Sequence, residues 1–473
     1  MKKIIIPVCV FSSAVISPVL SDAPAGRVSE HVFTTSKIMP GTSHRYVLYI
    51  PQQYVPGTPA AVYISQDGAR GFEAGVFDRL IHEGKMPVCI GVFVRPGQIA
   101  ATLPDGSGRS MRCPQYDALG SAYADFLIEE LLPAVAAENN IQFSDNPDFH
   151  AIGGNSSGGI CAFNAAWERN DFFRRVYMAS PSLVAFRGGD ILPVLVRKYE
   201  PKPVRVYMTV GTKDMNNSSG DWYIQAQAMN DSFKYAGYDF EYEVFEDAGH
   251  GAGFQSVEVF ERVQKFLWNN WQSPVRVTSF PPRIADVFSV ESKWEKTDEK
   301  IPAAMPVPFT TDGRQIKTAS GQSATDESFG RVSGMALSTD RWRLYISDEF
   351  SRFVSVMSVM PDGTLANRYY AGWLHLPDET RPDNIGAYNI CVDKMDRLYA
   401  ATALGVQLID NSGHNQAIIP LPDGGAVTGL CFGGENNSFL FAKSSTGTVF
   451  KRQTKTIGLS AADPVTAPGK IGL

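Results

Sequence analysis

Between His31 and about Pro274, largely apolar runs alternate with stretches whose apolar residues recur every three or four positions. The runs are RYVLYI, AAVYIS, VCIGVFV, FHAIGG, RRVYMAS, VRVYMTVG and FEYEVF. Apolar stretches of this length suit strands covered on both faces, as in a parallel sheet. AYADFLIEELLPAVAAE from Ala122 and VEVFERVQKFLWNNW from Val257 carry apolar residues at helical spacing and predict amphipathic helices. The pattern therefore predicts an α/β domain over 22–275, a mostly parallel sheet with flanking helices. Past Pro274 the grammar changes. TSFPPRIADVF and EKTDEKIPAAMPVPFTTDG, rich in proline and charge, predict a linker over 276–320. Over 321–473 three related segments follow, GMALSTDRWRLYISD from Gly334, NICVDKMDRLYAAT from Asn389 and GLCFGGENNSFLFAK from Gly429. Each reads as strand, polar turn, strand, the way propeller blades repeat, and predicts an all-β propeller-like domain that is incomplete.

Length agrees with two domains, since 473 residues exceed the size, about 250–300 residues, at which a single core stops growing. With 44% apolar residues, 19% charged residues and a net charge of −6, there is no basic surplus to suggest nucleic acid or an anionic membrane as partner. The start, MKKIIIPVCVFSSAVISPVLSDA, has two lysines, an apolar run and then small residues. That is the layout of a cleavable export signal over 1–21, cut near Ser21, leaving a secreted or periplasmic protein without a membrane anchor. Beyond Cys9 in the leader there are Cys89, Cys113, Cys161, Cys391 and Cys431, with no CxxC pair, so neither a zinc site nor a disulfide framework is implied.

FHAIGGNSSGGICAFNAAWER, from Phe149 to Arg169, puts two serines among glycines. A nucleophile elbow needs small residues two before and two after the serine, because the strand-to-helix turn is sharp. Ser156 has Gly154 and Gly158 there, whereas Ser157 has Asn155 on one side. The alternative is a glycine-rich turn with incidental serines. Partners of an elbow serine follow as acid, then histidine, and His250 in EDAGHGAGF is the one histidine between Ser156 and Pro274. Two acids compete. Asp214 follows the strand VRVYMTVG directly, where a carboxylate can hold an imidazole rigidly, and is the better choice; Asp221 is the alternative, and an Asp at its place most often serves as a helix N-cap. The oxyanion hole would take one backbone N–H from Ser157 and another from Ala69, after the turn Asp67-Gly68. No metal and no cofactor is called for.

With SQDGAR, MPVCIGVFVRPG, QYDALGSAYADFLIEELLPAV, GGNSSGGICAFNAAWER, FRRVYMASPSLVAFRGG, GTKDMN with GDW, and AGHGAG, the stretch from Thr35 to Trp271 resembles the esterase group of α/β-hydrolases. That group includes feruloyl, acetyl-xylan and enterochelin esterases and the mycolyltransferase antigens. The resemblance implies a triad of Ser156, Asp214 and His250, with an oxyanion amide at Ala69, acting on small-molecule or polysaccharide esters. The loop RSMRCPQYD departs from the group. RVSGMALSTDRWRLYISD and RLYAATALGVQLIDNSG resemble the calcium-dependent propellers of the gluconolactonase and senescence-marker family, with Ser333 and Tyr388 where that family has metal-binding Asn and Asp. The expected function is a secreted serine esterase removing acetyl or feruloyl groups from carbohydrates. Two alternatives are a calcium-dependent lactonase at the propeller and a non-catalytic carbohydrate-binding protein, with Trp342 and Trp373 as groove or core residues.

Overall fold

The structure is a computed structural model that describes residues 23–100, 108–377 and 386–468. The leader expected over 1–21 lies outside the described residues. Each apolar run of the first half becomes a strand: Thr42–Ile50, Ala61–Gln66, Cys89–Val94, His150–Asn155, Arg175–Ala179, Arg205–Gly211 and Asp239–Phe245. The last six of these are parallel, in the spatial order Asp239–Phe245, Arg205–Gly211, Arg175–Ala179, His150–Asn155, Ala61–Gln66, Cys89–Val94. Thr42–Ile50 and then Arg27–Phe33 continue the sheet antiparallel.

Because successive strand residues point to opposite faces, each strand feeds two cores. Val62 and Ile64 belong to the core under helix Ser157–Glu168, whereas Ala61 and Tyr63 belong to the one under helices Glu73–His82 and Val257–Leu267. The helix expected from Ala122 runs through Ala122–Asp125, Phe126–Leu131 and Leu132–Asn139, its middle stretch π-helical. Pro133 lacks an N–H, so the turn before it is wound wider. The helix expected from Val257 stops at Leu267, and Asn270 in left-handed conformation (φ 53°) follows.

Each of the three repeats forms the first two strands of a four-stranded antiparallel blade. The blades are Val332–Leu337, Arg343–Asp348, Phe353–Val359 and Leu365–Trp373; Asn389–Val392, Leu398–Thr402, Gly405–Ile409 and Asn415–Ile419; and Val427–Gly433, Phe439–Ser444, Val449–Gln453 and Glu295–Thr297. The polar turn of each repeat is closed by a residue with positive φ: Arg341, Asp396, then Asn436 with Asn437. Asp396 ties the first two blades, accepting from Thr339 N–H (2.9 Å) and from Arg343 Nη2 (2.6 Å).

The segment 276–320 supplies that outer strand Glu295–Thr297 to the third blade. It also buries Ile284, Val287 and Phe288 against the second and third blades, and Phe309 and Ile316 against the first. The two halves of the chain meet at the end of helix Leu192–Lys198. Tyr199 bridges to Ile418, Glu200 pairs with the fully buried Arg452 at 2.6 Å, and Lys198 Nζ lies 2.8 Å from His375 Nε2. Trp342 and Trp373 are both exposed. Among the described residues no helix is long and apolar enough to cross a membrane.

Candidate active site

The strand His150–Asn155 and the helix Ser157–Glu168 leave Ser156 alone at the corner, with φ 60° and ψ −122°. Positive φ is costly for a residue with a side chain and survives only where the surroundings fix it. Here Ser156 N–H donates to the Ala179 carbonyl (2.8 Å), and the Ser156 carbonyl accepts from Ser182 N–H (3.1 Å). The glycines two residues away have a steric reason. A Cβ on Gly154 would lie 2.5 Å from the Gly158 carbonyl oxygen, and one on Gly158 would lie 2.9 Å from Asp67 Oδ2.

Asp214 and His250 come together across 36 residues of chain, His250 Nδ1 to Asp214 Oδ1 at 2.6 Å. The Asp214 side chain is fully buried, and the imidazole is about a quarter exposed. Burial alone would raise the Asp214 pKa, but the hydrogen bonds from His250 and from Met215 N–H (2.7 Å) outweigh it and hold the carboxyl below its ordinary value. Trp222, fully buried, sets its ring edge-on to the imidazole at 6.0 Å. Asp221 faces elsewhere, capping helix Trp222–Ala236 by accepting from Ile224 N–H (3.0 Å) and holding Asn216 Nδ2 (2.8 Å).

On the other side of Ser156, Asp67 and Gly68 both take positive φ and turn the chain so that Ala69 follows the end of strand Ala61–Gln66. Neither the Ala69 N–H nor the Ser157 N–H has a protein acceptor among the described residues. Ser157 opens its helix, where the first N–H groups have no partner within the helix. Two groups escaped the sequence reading. Arg112, in the divergent loop, grips Asp67 through Nε and Nη2 (2.7 and 2.8 Å) and reaches the Asn155 carbonyl (3.2 Å), so it binds the turn to the elbow. The second group is Ser180 and Ser182, whose one sequence signal is the Ser-Pro-Ser that follows strand Arg175–Ala179. Ser182 Oγ, 3.3 Å away, is the hydrogen-bond partner of Ser156 Oγ among the described residues.

Residues 36–261 match the family model described as "Putative esterase". The first half of the chain is an esterase domain. It has the α/β-hydrolase fold, and as a carboxylic ester hydrolase it carries chemistry that the elbow, the acid–histidine pair and the free amides can perform. Residues 315–446 match the SMP-30/gluconolactonase/LRE-like region, so the esterase domain is joined to a propeller-like one. Among curated proteins none matches the sequence. Similar solved structures include a ferulic acid esterase, 15% identical, covering 51% of this chain and 98% of that one with a TM-score of 0.38. Enterochelin esterase from Shigella flexneri is 18% identical over 53% of this chain and 60% of its own, with a TM-score of 0.40. The feruloyl esterase module from Clostridium thermocellum is 14% identical over 52% and 89%, with a TM-score of 0.36.

Proposed function

We propose that the protein is an exported serine esterase that deacylates carbohydrate esters of acetyl or feruloyl type. Ser156 is the nucleophile, His250 the general base, Asp214 the carboxylate that orients it, and the Ser157 and Ala69 amides form the oxyanion hole. The observation that supports this most is the 2.6 Å contact between His250 and Asp214 beside an elbow whose strained corner residue is Ser156. His250 takes the hydroxyl proton as Oγ bonds to the acyl carbon, the carbonyl oxygen gains its negative charge facing the two amides, and the proton then passes to the departing alcohol. Water repeats the sequence on the acyl-enzyme, giving the acid and free Ser156. No cofactor enters these steps.

The blades beyond Gly321 act in this reading as an accessory module that docks on the esterase domain. The Ser333 hydroxyl is already engaged, 2.8 Å from Ser347 Oγ. The test is a panel of 4-nitrophenyl acetate, methyl ferulate and acetylated xylan, run on the wild type and on Ser156→Ala. Turnover of at least one ester that vanishes in the variant is expected. Turnover undiminished in Ser156→Ala would move the chemistry elsewhere.

A further inference from the structure

The strand Arg175–Ala179 leads into Ser180-Pro181-Ser182, and these three residues form a strap across the site. Ser180 is fully buried and held at φ 39°, a left-handed conformation that a serine does not adopt without outside support. The support is visible. Ser180 N–H donates to the Thr209 carbonyl (2.7 Å), and Ser180 Oγ accepts from the N–H of Gly251, the residue after His250 (2.9 Å). One residue earlier the Ala179 carbonyl holds Ser156 N–H, and two later Ser182 N–H holds the Ser156 carbonyl. The strap also leans on the elbow helix, where a Cβ on Gly159 would sit 3.0 Å from the Ala179 carbonyl oxygen and 3.2 Å from Pro181 Cα.

Within this strap the Ser182 hydroxyl is fully buried, and among the described residues its hydrogen-bond partner is Ser156 Oγ at 3.3 Å. Ser156 must give its own proton to the imidazole, so in the reacting complex it can serve Ser182 only as acceptor. From this geometry, and resting on Ser156 as the nucleophile, we infer that Ser182 is a positioning residue. It donates to one lone pair of Ser156 Oγ and fixes the side-chain rotamer, leaving the Ser156 proton for His250 and the other lone pair for the acyl carbon. Its effect falls on the chemical step, since the Ser182 hydroxyl is fully buried and its contact is to the Ser156 Oγ itself.

The experiment uses the full chain as wild type, Ser182→Ala, Ser182→Cys and Pro181→Ala. Two quantities are measured on each, the second-order rate of labelling by a fluorophosphonate and the kcat and KM for 4-nitrophenyl acetate, alongside the melting temperature. Loss of one neutral hydrogen bond should slow both labelling and kcat in Ser182→Ala about tenfold with KM nearly unchanged. Ser182→Cys, with a weaker donor, should fall between the two, and Pro181→Ala, which keeps the hydroxyl, should stay near the wild type. Equal labelling rates in the wild type and a folded Ser182→Ala would overturn the inference, as would an equal slowing in Pro181→Ala. Should Ser182→Ala fail to fold, Ser182→Cys decides, and a rate at the wild-type level counts against the role. Failure of the underlying reading looks different: label that does not form in the wild type, or that persists in Ser156→Ala.

Discussion

Asp214 and Asp221 carry the same carboxylate seven residues apart, but one is buried against an imidazole and the other caps a helix in the open. Asp214→Asn should therefore cost turnover on the order of 10⁴-fold, because the amide no longer fixes the histidine tautomer. Asp221→Ala should leave turnover nearly intact and lower stability by about 1 kcal/mol, the usual cost of a lost N-cap. Steady-state kinetics beside urea unfolding of both variants checks this, and the reverse ranking would transfer the orienting role to Asp221. At this scale the sequence is legible where sterics are local. Gly154 marks Ser156 over Ser157 because the clash it avoids, with the Gly158 carbonyl, lies within five residues. It is silent where two strands must meet. Nothing near Ser182 announces that its hydroxyl ends 3.3 Å from Ser156.

Among the elements, the inner strands of the esterase domain such as Ala61–Gln66 and Cys89–Val94 are readable because both faces are buried and the runs are mostly apolar, whereas the edge strand Asp239–Phe245 carries Glu241 and Glu243. Helix ends read less well. Val257–Leu267 stops short of the apolar pattern, which continues into Trp268 and Trp271 as a packed turn. The connection from helix Leu192–Lys198 to strand Arg205–Gly211 also hides a half-buried charge. Lys202 Nζ sits 4.3 Å from the centre of the Trp167 ring, and burial pushes its pKa down to about 8. The unfolded chain keeps that proton up to about pH 10.4, so between the two values it binds more protons than the folded one and stability rises with pH. Relative to Lys202→Met, the wild type should gain on the order of 2 kcal/mol from about pH 7 to about pH 10. Urea midpoints of both proteins across that range give the difference, from which the tyrosine titrations cancel; parallel curves would refute it.

For the whole molecule, the repeats made the three blades legible, since each carries a strand, a left-handed turn and a strand of its own. Two features stayed hidden because their partners are remote in sequence: the pairing of Glu295–Thr297 with Val449–Gln453, and the docking of the blades on Tyr199 and Glu200. Arg452 has 1% of its side chain exposed, so Glu200→Gln leaves a buried guanidinium without its counter-charge. This should cost about 2 kcal/mol or more and loosen the contact between the halves. Calorimetry of the full chain should show a lower first melting transition, and an unchanged profile would mean the ion pair does not hold the interface. The outer strand of the third blade has a further consequence, for the order in which the chain assembles. Its three residues wait for a partner roughly 150 positions later, a separation that makes loop closure slow although its equilibrium cost grows only with the logarithm of length. During synthesis the esterase domain has all its strands before the first blade leaves the ribosome, whereas the blades stay open at one edge until Val449–Gln453 arrives and fastens the last sheet to a segment made before the first.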